Sequence, residues 1–410
     1  MRADAVVLGA GIVGISIALH LQARGRSVAL LDRRGAAEET SFGNAGLIQR
    51  EGVYPYGFPH DFGALLRYGF NRTIDAHYHP SALLDLAPFL WKYWHHSRRK
   101  RHARIAKLYS HLIEHCVAEH DALAAQAGAE SFLKRSGWMR VFRTERERDL
   151  RIAEAEKWRA EFGISFSSLN EKQLQEEEPH LAPVLVGALH WTDPVSVIDP
   201  QGLALSYLKL FESRGGRFLQ GNAASLEQGW SVHTVEGKVE AKDVVIALGP
   251  WADVITRPLG YDLPLAVKRG YHMHYRAAGH AKLNHPVLDT ERGYLLAPMA
   301  RGIRLTTGAE FALRDAIRTP VQLGRAEPVA RNLFPLAERL DNDPWMGARP
   351  CTPDMMPIIG KAPRHDGLWF AFGHAHHGLT LGPVTGRLIG EMITGETPFV
   401  DPAPYRAERF

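Results

Sequence analysis

The 410-residue chain is too long for one ordinary hydrophobic core, so two closely joined domains are expected. Its 45% hydrophobic and 23% charged residues exclude a disordered polymer, and a formal net charge of +4 is too small to call for a nucleic-acid partner. Two distant cysteines, Cys116 and Cys351, exclude a disulfide framework and a thiolate metal centre, and no uncharged run is long enough to span a bilayer.

In chain order, residues 3–8 form a short apolar run that reads as a buried parallel strand. A glycine turn follows, then helical spacing over 12–24 and a second buried strand over 27–31, which together make a βαβ unit. Residues 81–129 read as largely helical and carry Trp91, Tyr93 and Trp94 beside the basic run Arg98, Arg99, Lys100, Arg101. That mixture suits an interfacial helix or a solvated basic one. A charged helix is expected over 145–162 and another over 201–214. Strands are expected over 217–220, 230–235, 238–240 and 243–248, then in a second sheet over 271–275, 294–297 and 304–307, with a closing helix over 382–393. No secretory signal opens the chain, and the cysteine usage suits a cytoplasmic location.

The turn Gly9-Ala10-Gly11-Ile12-Val13-Gly14 is a GxGxxG between strand and helix. Gly9 permits the tight turn, Gly11 lets a pyrophosphate approach the backbone, and Gly14 lets helix and strand pack closely. The helix start offers free N–H groups and partial positive charge to phosphates. Asp32 ends the second strand where a carboxylate meets a ribose; Arg33 and Arg34 follow it, but the acid argues against a 2′-phosphate. A second glycine-rich stretch, Gly373-His374-Ala375-His376-His377-Gly378-Leu379-Thr380-Leu381-Gly382, leads into the closing helix. It is either the second helix N-terminus that a flavin's reduced ring would need or a cap on a core helix.

Several segments carry a resemblance. Glu39-Thr40-Ser41-Phe42-Gly43-Asn44-Ala45-Gly46-Leu47-Ile48 resembles the stretch after the βαβ unit in bacterial D-amino-acid dehydrogenases. Residues 243–252 resemble the strand that returns to the nucleotide in glutathione-reductase-type flavoproteins. Residues 348–360, with Arg349 and Pro350, resemble the segment bearing the carboxylate-binding arginine in glycine oxidase and D-amino-acid oxidases, and residues 373–382 resemble that superfamily's C-terminal flavin motif.

The resemblance implies a Rossmann-like α/β FAD-binding domain of the glutathione-reductase type, interleaved with an α+β substrate domain on a mostly antiparallel sheet. The expected division is 1–80, 180–255 and 340–400 for FAD, and 81–179 and 256–339 for substrate. Gly9, Gly11, Ile12, Val13, Gly14, Asp32 and Arg33 would hold the ADP half; Thr40, Ser41, Asn44, Gly46 and Leu47 would lie along the pyrophosphate and ring. Ala224, beside Ala223, would contact adenine from a strand backbone; Gly249 and Trp251 would lie beside the cofactor; and Gly373, His374, Gly378, Leu379 and Thr380 would contact the ring and ribityl chain. Arg349 would clamp the substrate carboxylate, as a guanidinium's two parallel donors suit.

Softer expectations concern the pocket. His376 and His377 either reach it or pack, Tyr271 either offers it a hydroxyl or packs on the sheet, and Tyr54 and Tyr56 either form a lid or an ordinary aromatic loop. Cys351 is offset from where sarcosine-oxidase relatives tether flavin, so FAD is expected to be non-covalent; no ligand spacing suggests a metal. The implied reaction is oxidation of an amino acid, a D-enantiomer of proline or hydroxyproline type among the candidates, by hydride transfer from Cα to flavin N5. Electrons would pass to a quinone-type acceptor, with peripheral contact at the inner membrane. The alternatives are a glycine- or sarcosine-type oxidase using O2 and a non-catalytic flavin subunit.

Overall fold

The computed structural model describes all 410 residues. Alternating apolar runs and glycine turns at the start of the chain produce a sheet whose strands run Arg217–Gln220, Val28–Asp32, Arg2–Leu8, Gly237–Ile246, Leu368–Phe372 and Ile358–Lys361 across its width. The first five are parallel and the last antiparallel, and Ser231–Thr234 forms a hairpin on Gly237–Ile246. Leu8 aligns with Leu31 and Ile246, and Ile246 with Phe370, so Gly9, Asp32, Ala247 and Gly373 all leave the same carboxyl edge. In open parallel sheets that edge is where ligands bind.

One face of this sheet is covered by the opening helix, Ile12–Ala23, and the closing helix, Gly378–Thr394. They touch through small residues: a Cβ at Gly386 would lie 2.6 Å from the Ser16 carbonyl oxygen. The opening helix is almost wholly buried, which its apolar residues on all sides permit. Helices Arg99–Ile113 and Cys116–Ala127 pack on the closing helix, although residues 81–179 were expected to side with the substrate domain.

The second sheet is mixed and has eleven strands, built around the twelve-residue strand Ala266–Ala277. That strand is longer than the expected 271–275 because Gly302–Thr307, Ala309–Phe311, Leu336–Arg339 and Trp345–Cys351 all pair along it. Ala76–Tyr78, Gly187–Trp191 and Trp345–Cys351 also belong to this sheet, so the expected boundaries at 80, 180 and 340 do not follow the strand pairing. No linker composition marks where the chain passes from one sheet to the other. Two further expectations are corrected. Residues 238–240 and 243–248 are one strand, Gly237–Ile246, whose first half pairs with the hairpin and second half with Arg2–Leu8. The closing helix starts at Gly378, four residues before the expected 382. No helix is long and apolar enough to cross a membrane.

Candidate active site

A cavity of about 1060 Å³ lies between the carboxyl edge of the first sheet and one face of the second. At its nucleotide end Gly9 adopts φ +105°, and a Cβ there would lie 2.5 Å from the Ala247 carbonyl oxygen, which forces glycine. Gly14 is needed for packing: its Cβ would meet the Gly9 carbonyl oxygen at 1.8 Å. Gly11 is different, because its φ of −75° is ordinary and its missing Cβ would face Ser41 Oγ at 3.2 Å, on the cavity side. Ser41 Oγ accepts the Ile12 amide at 3.0 Å; Val13 also lines the cavity.

Asp32 accepts the Ala10 amide at 2.8 Å on one oxygen and the Arg34 amide at 3.1 Å on the other, and burial pushes its pKa upward. Arg33 stacks its guanidinium 4.4 Å from the Trp251 ring and pairs with Glu39 at 2.8 Å; Arg33, Trp251, Gly249 and Ala224 all line the cavity. Ala223–Ser225 is a 3-10 turn after strand Arg217–Gln220, not the strand backbone expected at Ala223 and Ala224.

The segment 40–47 crosses beneath the closing helix. Thr40 donates to the Ala348 carbonyl at 3.0 Å, and Asn44 Oδ1 accepts the Gly46 amide at 2.9 Å. Thr40, Asn44 and Leu47 reach the cavity, whereas Gly46 does not: it has φ +74° and abuts the Val197 carbonyl. Thr380, also outside the cavity wall, donates to the Leu47 carbonyl and accepts the Gln49 amide, both at 3.2 Å. It ties the closing helix to this segment. Gly378, Leu379 and His374 line the cavity, while Gly373 supplies the turn, with φ +83°.

At the other end, strand Trp345–Cys351 runs antiparallel to Ala266–Ala277 with Arg349 opposite Lys268. Arg349 Nη1 donates to the Gly308 carbonyl at 3.0 Å and lies 3.5 Å from the Arg269 carbonyl; its Nε and Nη2 make no hydrogen bond in the chain, and no carboxylate pairs with it. His376 lies 4.7 Å from the Tyr56 ring at the cavity wall. Burial and neighbouring cations push its pKa well below the histidine range. His377 does not reach the cavity: it precedes the helix, and its Nδ1 meets the Tyr109 hydroxyl at 2.8 Å. Tyr54 stacks on Trp158 at 5.2 Å, away from the cavity, so only Tyr56 can act as part of a lid.

Of the two positions expected for Tyr271 the hydroxyl takes the packed one, although the residue also borders the cavity. Strand alternation sends it to the face opposite Lys268 and Arg349, where its hydroxyl bonds Glu310 at 3.0 Å and accepts the Thr319 amide at 2.8 Å. Sequence reasoning missed Lys268, its aromatic neighbour Tyr93, and Trp345, which stacks on His272 at 4.8 Å. Period-two alternation from His272 back to Lys268 was the available signal.

The family model for FAD dependent oxidoreductases (DAO) matches residues 4–392. The chain belongs to that family. The resemblance drawn from its motif segments is thereby borne out, and FAD is the cofactor. Among relatives of this oxidoreductase, a D-amino-acid oxidase of Bradyrhizobium diazoefficiens is 26% identical, with 98% of each chain covered. A D-amino acid dehydrogenase of Cereibacter sphaeroides is 28% identical, with 99% of this chain and 95% of the relative covered. The fold matches glycine oxidase from Geobacillus kaustophilus (TM-score 0.73, 23% identity, 100% and 99% covered). It also matches L-amino acid deaminase from Proteus vulgaris (TM-score 0.75, 18% identity, 100% and 97% covered).

The oxidoreductase has room and donors for FAD. The cavity exceeds the usual range for a single small ligand, and two helix starts from opposite ends of the chain open onto it. First-turn amides lack intrahelical acceptors, so both starts present N–H groups to an anionic cofactor. A Cβ at Gly11 would narrow the approach that a pyrophosphate needs.

Proposed function

We infer that this oxidoreductase dehydrogenates a D-amino acid and passes the electrons to a quinone-type acceptor. The observation that carries the reading is Arg349, a guanidinium without a carboxylate partner at the wall of the same cavity as the dinucleotide cradle. The near-full-length relatives named D-amino acid dehydrogenase support the choice of substrate class and stereochemistry.

In this reading Gly9, Gly11, Ile12, Val13 and Asp32 hold the ADP half, with Gly14 keeping the helix against the strand. Arg33, Ala224, Gly249 and Trp251 flank it. Thr40, Ser41, Asn44, Leu47, His374, Gly378 and Leu379 surround the ring and its chain, which is held without a covalent bond, while Gly46, Gly373 and Thr380 shape the backbone around it. FAD supplies the two-electron acceptor when bound. Arg349 takes the substrate carboxylate through Nε and Nη2 and thereby fixes the α-carbon. His376, held neutral by its surroundings, leaves a ring nitrogen able to accept from the substrate amine, whose ammonium proton passes to water. The imine formed by the oxidation is released and hydrolyses, or stays cyclic if the substrate is a proline.

The surface accords with a membrane-held acceptor. Phe62, Leu66 and Phe70 are exposed around the short helix Phe62–Gly69, and Trp91 is exposed in the same region of sequence as Arg98, Arg99, Lys100 and Arg101. The test is anaerobic reduction of the purified yellow protein by a panel of D- and L-amino acids, including D-proline and cis-4-hydroxy-D-proline. D-enantiomers are expected to bleach it, and a quinone or dye to restore the colour. Bleaching by L-enantiomers alone, or by none of the panel, overturns the reading; hydrogen peroxide in stoichiometric yield under air makes it an oxidase instead.

A further inference from the structure

Lys268 is a second cation in the substrate end of the cavity, and nothing in the chain neutralises it. The residue is 8% exposed. Its Nζ lies 3.8 Å from the Tyr93 ring centroid and 5.4 Å from that of Phe311, and its one hydrogen-bond contact is the Met355 sulfur at 3.8 Å. No carboxylate forms a salt bridge with it. The groups facing it are Tyr93 from the helix Leu83–His96, Phe311 from its neighbouring strand, Met355 from the following turn, and Cys351 and Arg349 from the strand opposite. His376 completes the surroundings from the C-terminal loop. The contrast is Arg269, one residue on, which points to the other face and is paired with buried Glu310 at 2.6 Å.

An ammonium taken out of water without an anion is unfavourable, and aromatic rings compensate only part of the loss. Burial accordingly lowers the Lys268 pKa to about 8, so near neutral pH most of the group is charged. Cross-strand partners in an antiparallel pair point to the same face, so Lys268 and Arg349 both reach one cavity from adjacent strands. Arg349 leans toward Gly270 and Gly308 and Lys268 toward Met355 and Tyr93, so their charged heads diverge.

We propose that Lys268 anchors a second carboxylate, so that the substrate is an amino dicarboxylic acid whose α-carboxylate sits on Arg349 and whose acidic side chain sits on Lys268. This rests on the amino-acid reading above and narrows it. Such a ligand would supply the counter-charge that the chain withholds, and an uncharged side chain would leave the ammonium unpaired. The aromatic and thioether walls contribute no competing acceptor oxygen, which favours a group that brings its own negative charge.

Isothermal titration calorimetry of the FAD-loaded protein with succinate, glutarate and butyrate reads the second anchor without turnover. The better dicarboxylate is expected to bind at least tenfold more tightly than butyrate. Lys268→Met should abolish that margin and Lys268→Arg should keep it, with Lys268→Gln as the second neutral variant if the methionine form does not fold. Anaerobic kinetics supply the second readout: kcat/KM for D-glutamate or D-aspartate over that for its amide should exceed ten in the native protein and collapse in the neutral variant. Equal affinity for mono- and dicarboxylates in the native protein, or a margin that survives loss of the ammonium, overturns the proposal even if neutral D-amino acids are oxidised. A margin that depends on Lys268 while no amino acid bleaches the flavin leaves the dicarboxylate site standing and defeats the amino-acid reading alone.

Discussion

Arg349 lies along the bare backbone of Gly270: a Cβ built there would come 2.4 Å from Nη2 and 2.8 Å from the guanidinium carbon. The gap left by one hydrogen atom sets where the substrate carboxylate would be met. Gly270→Ala is therefore expected to shift the guanidinium and lower kcat/KM by about 10- to 100-fold, mostly through KM. Arg349→Lys should cost about 100-fold or more, because a point charge cannot replace two parallel donors. Steady-state kinetics on both variants check this; a Gly270→Ala enzyme with native KM would mean that Arg349 is not the clamp.

Gly11 and Gly14 are separable although they lie three residues apart. Gly14→Ala places a methyl group 1.8 Å from a backbone oxygen with no flexible neighbour to yield, so the fold itself should suffer, by about 3 kcal/mol or more. Gly11→Ala meets only Ser41 Oγ, at 3.2 Å, in an ordinary backbone conformation. It should fold but bind FAD at least tenfold more weakly. Thermal melts of the FAD-free protein and flavin titrations separate the two outcomes; a Gly11→Ala protein with native affinity for FAD would remove the pyrophosphate from that turn.

With a neutral D-amino acid as reductant, kcat/KM for flavin reduction should climb from pH 7 to 9 as the substrate ammonium loses its proton. No step is expected near 6.5. Burial brings His374 and His377 down to about 3, and His376 falls well below the ordinary value, so all three stay neutral across the range. A stopped-flow pH series would expose the contrary case as a flat profile or as a break near the ordinary histidine pKa.

Glu51 is 3% exposed, and burial raises its pKa to about 7 although the Trp138 indole donates to it at 2.8 Å. Below about pH 4.5 it is protonated folded and unfolded alike, so it costs nothing. Between 4.5 and 7 the unfolded chain gains by ionising first, and above 7 the folded state carries the whole penalty, on the order of 3 kcal/mol. Glu51→Gln keeps an acceptor for Trp138 and removes the charge. It should stabilise the protein at pH 8 by about 1–3 kcal/mol and hardly at all at pH 4.5. Denaturant melts at the two pH values give the answer, and a gain equal at both would contradict the assigned ionisation.

What could be read from the residues alone followed how local each requirement is. The opening βαβ unit was legible because Gly9, Gly14 and Asp32 are constrained within one turn and two strands. Arg349 was legible only through family resemblance, which also decided between the two readings that the Gly373–Gly382 stretch left open. Lys268 was hidden: a lysine beside Arg269 in an alternating strand reads like any edge charge, and only its pairing with Arg349, some eighty residues later, turns it inward. Tyr271 stayed open between pocket and packing for the same reason, since the face its hydroxyl occupies depends on which sheet neighbours flank the strand. The passages between the two sheets left no linker to read, because Ala76–Tyr78, Gly187–Trp191 and Trp345–Cys351 pair in the second sheet from within spans that read as the FAD domain.

The bond from Thr380 to the Leu47 carbonyl joins segments translated 333 residues apart. The glycine turn at Gly9 leaves the ribosome long before its partner helix, which starts only at Gly378. Until then the apolar flank of Ile12–Ala23 that later meets Gly382 and Gly386 has no cover. Flavin capture should thus be a late, post-translational event. Nascent chains halted before residue 378 should be held by chaperones rather than by cofactor.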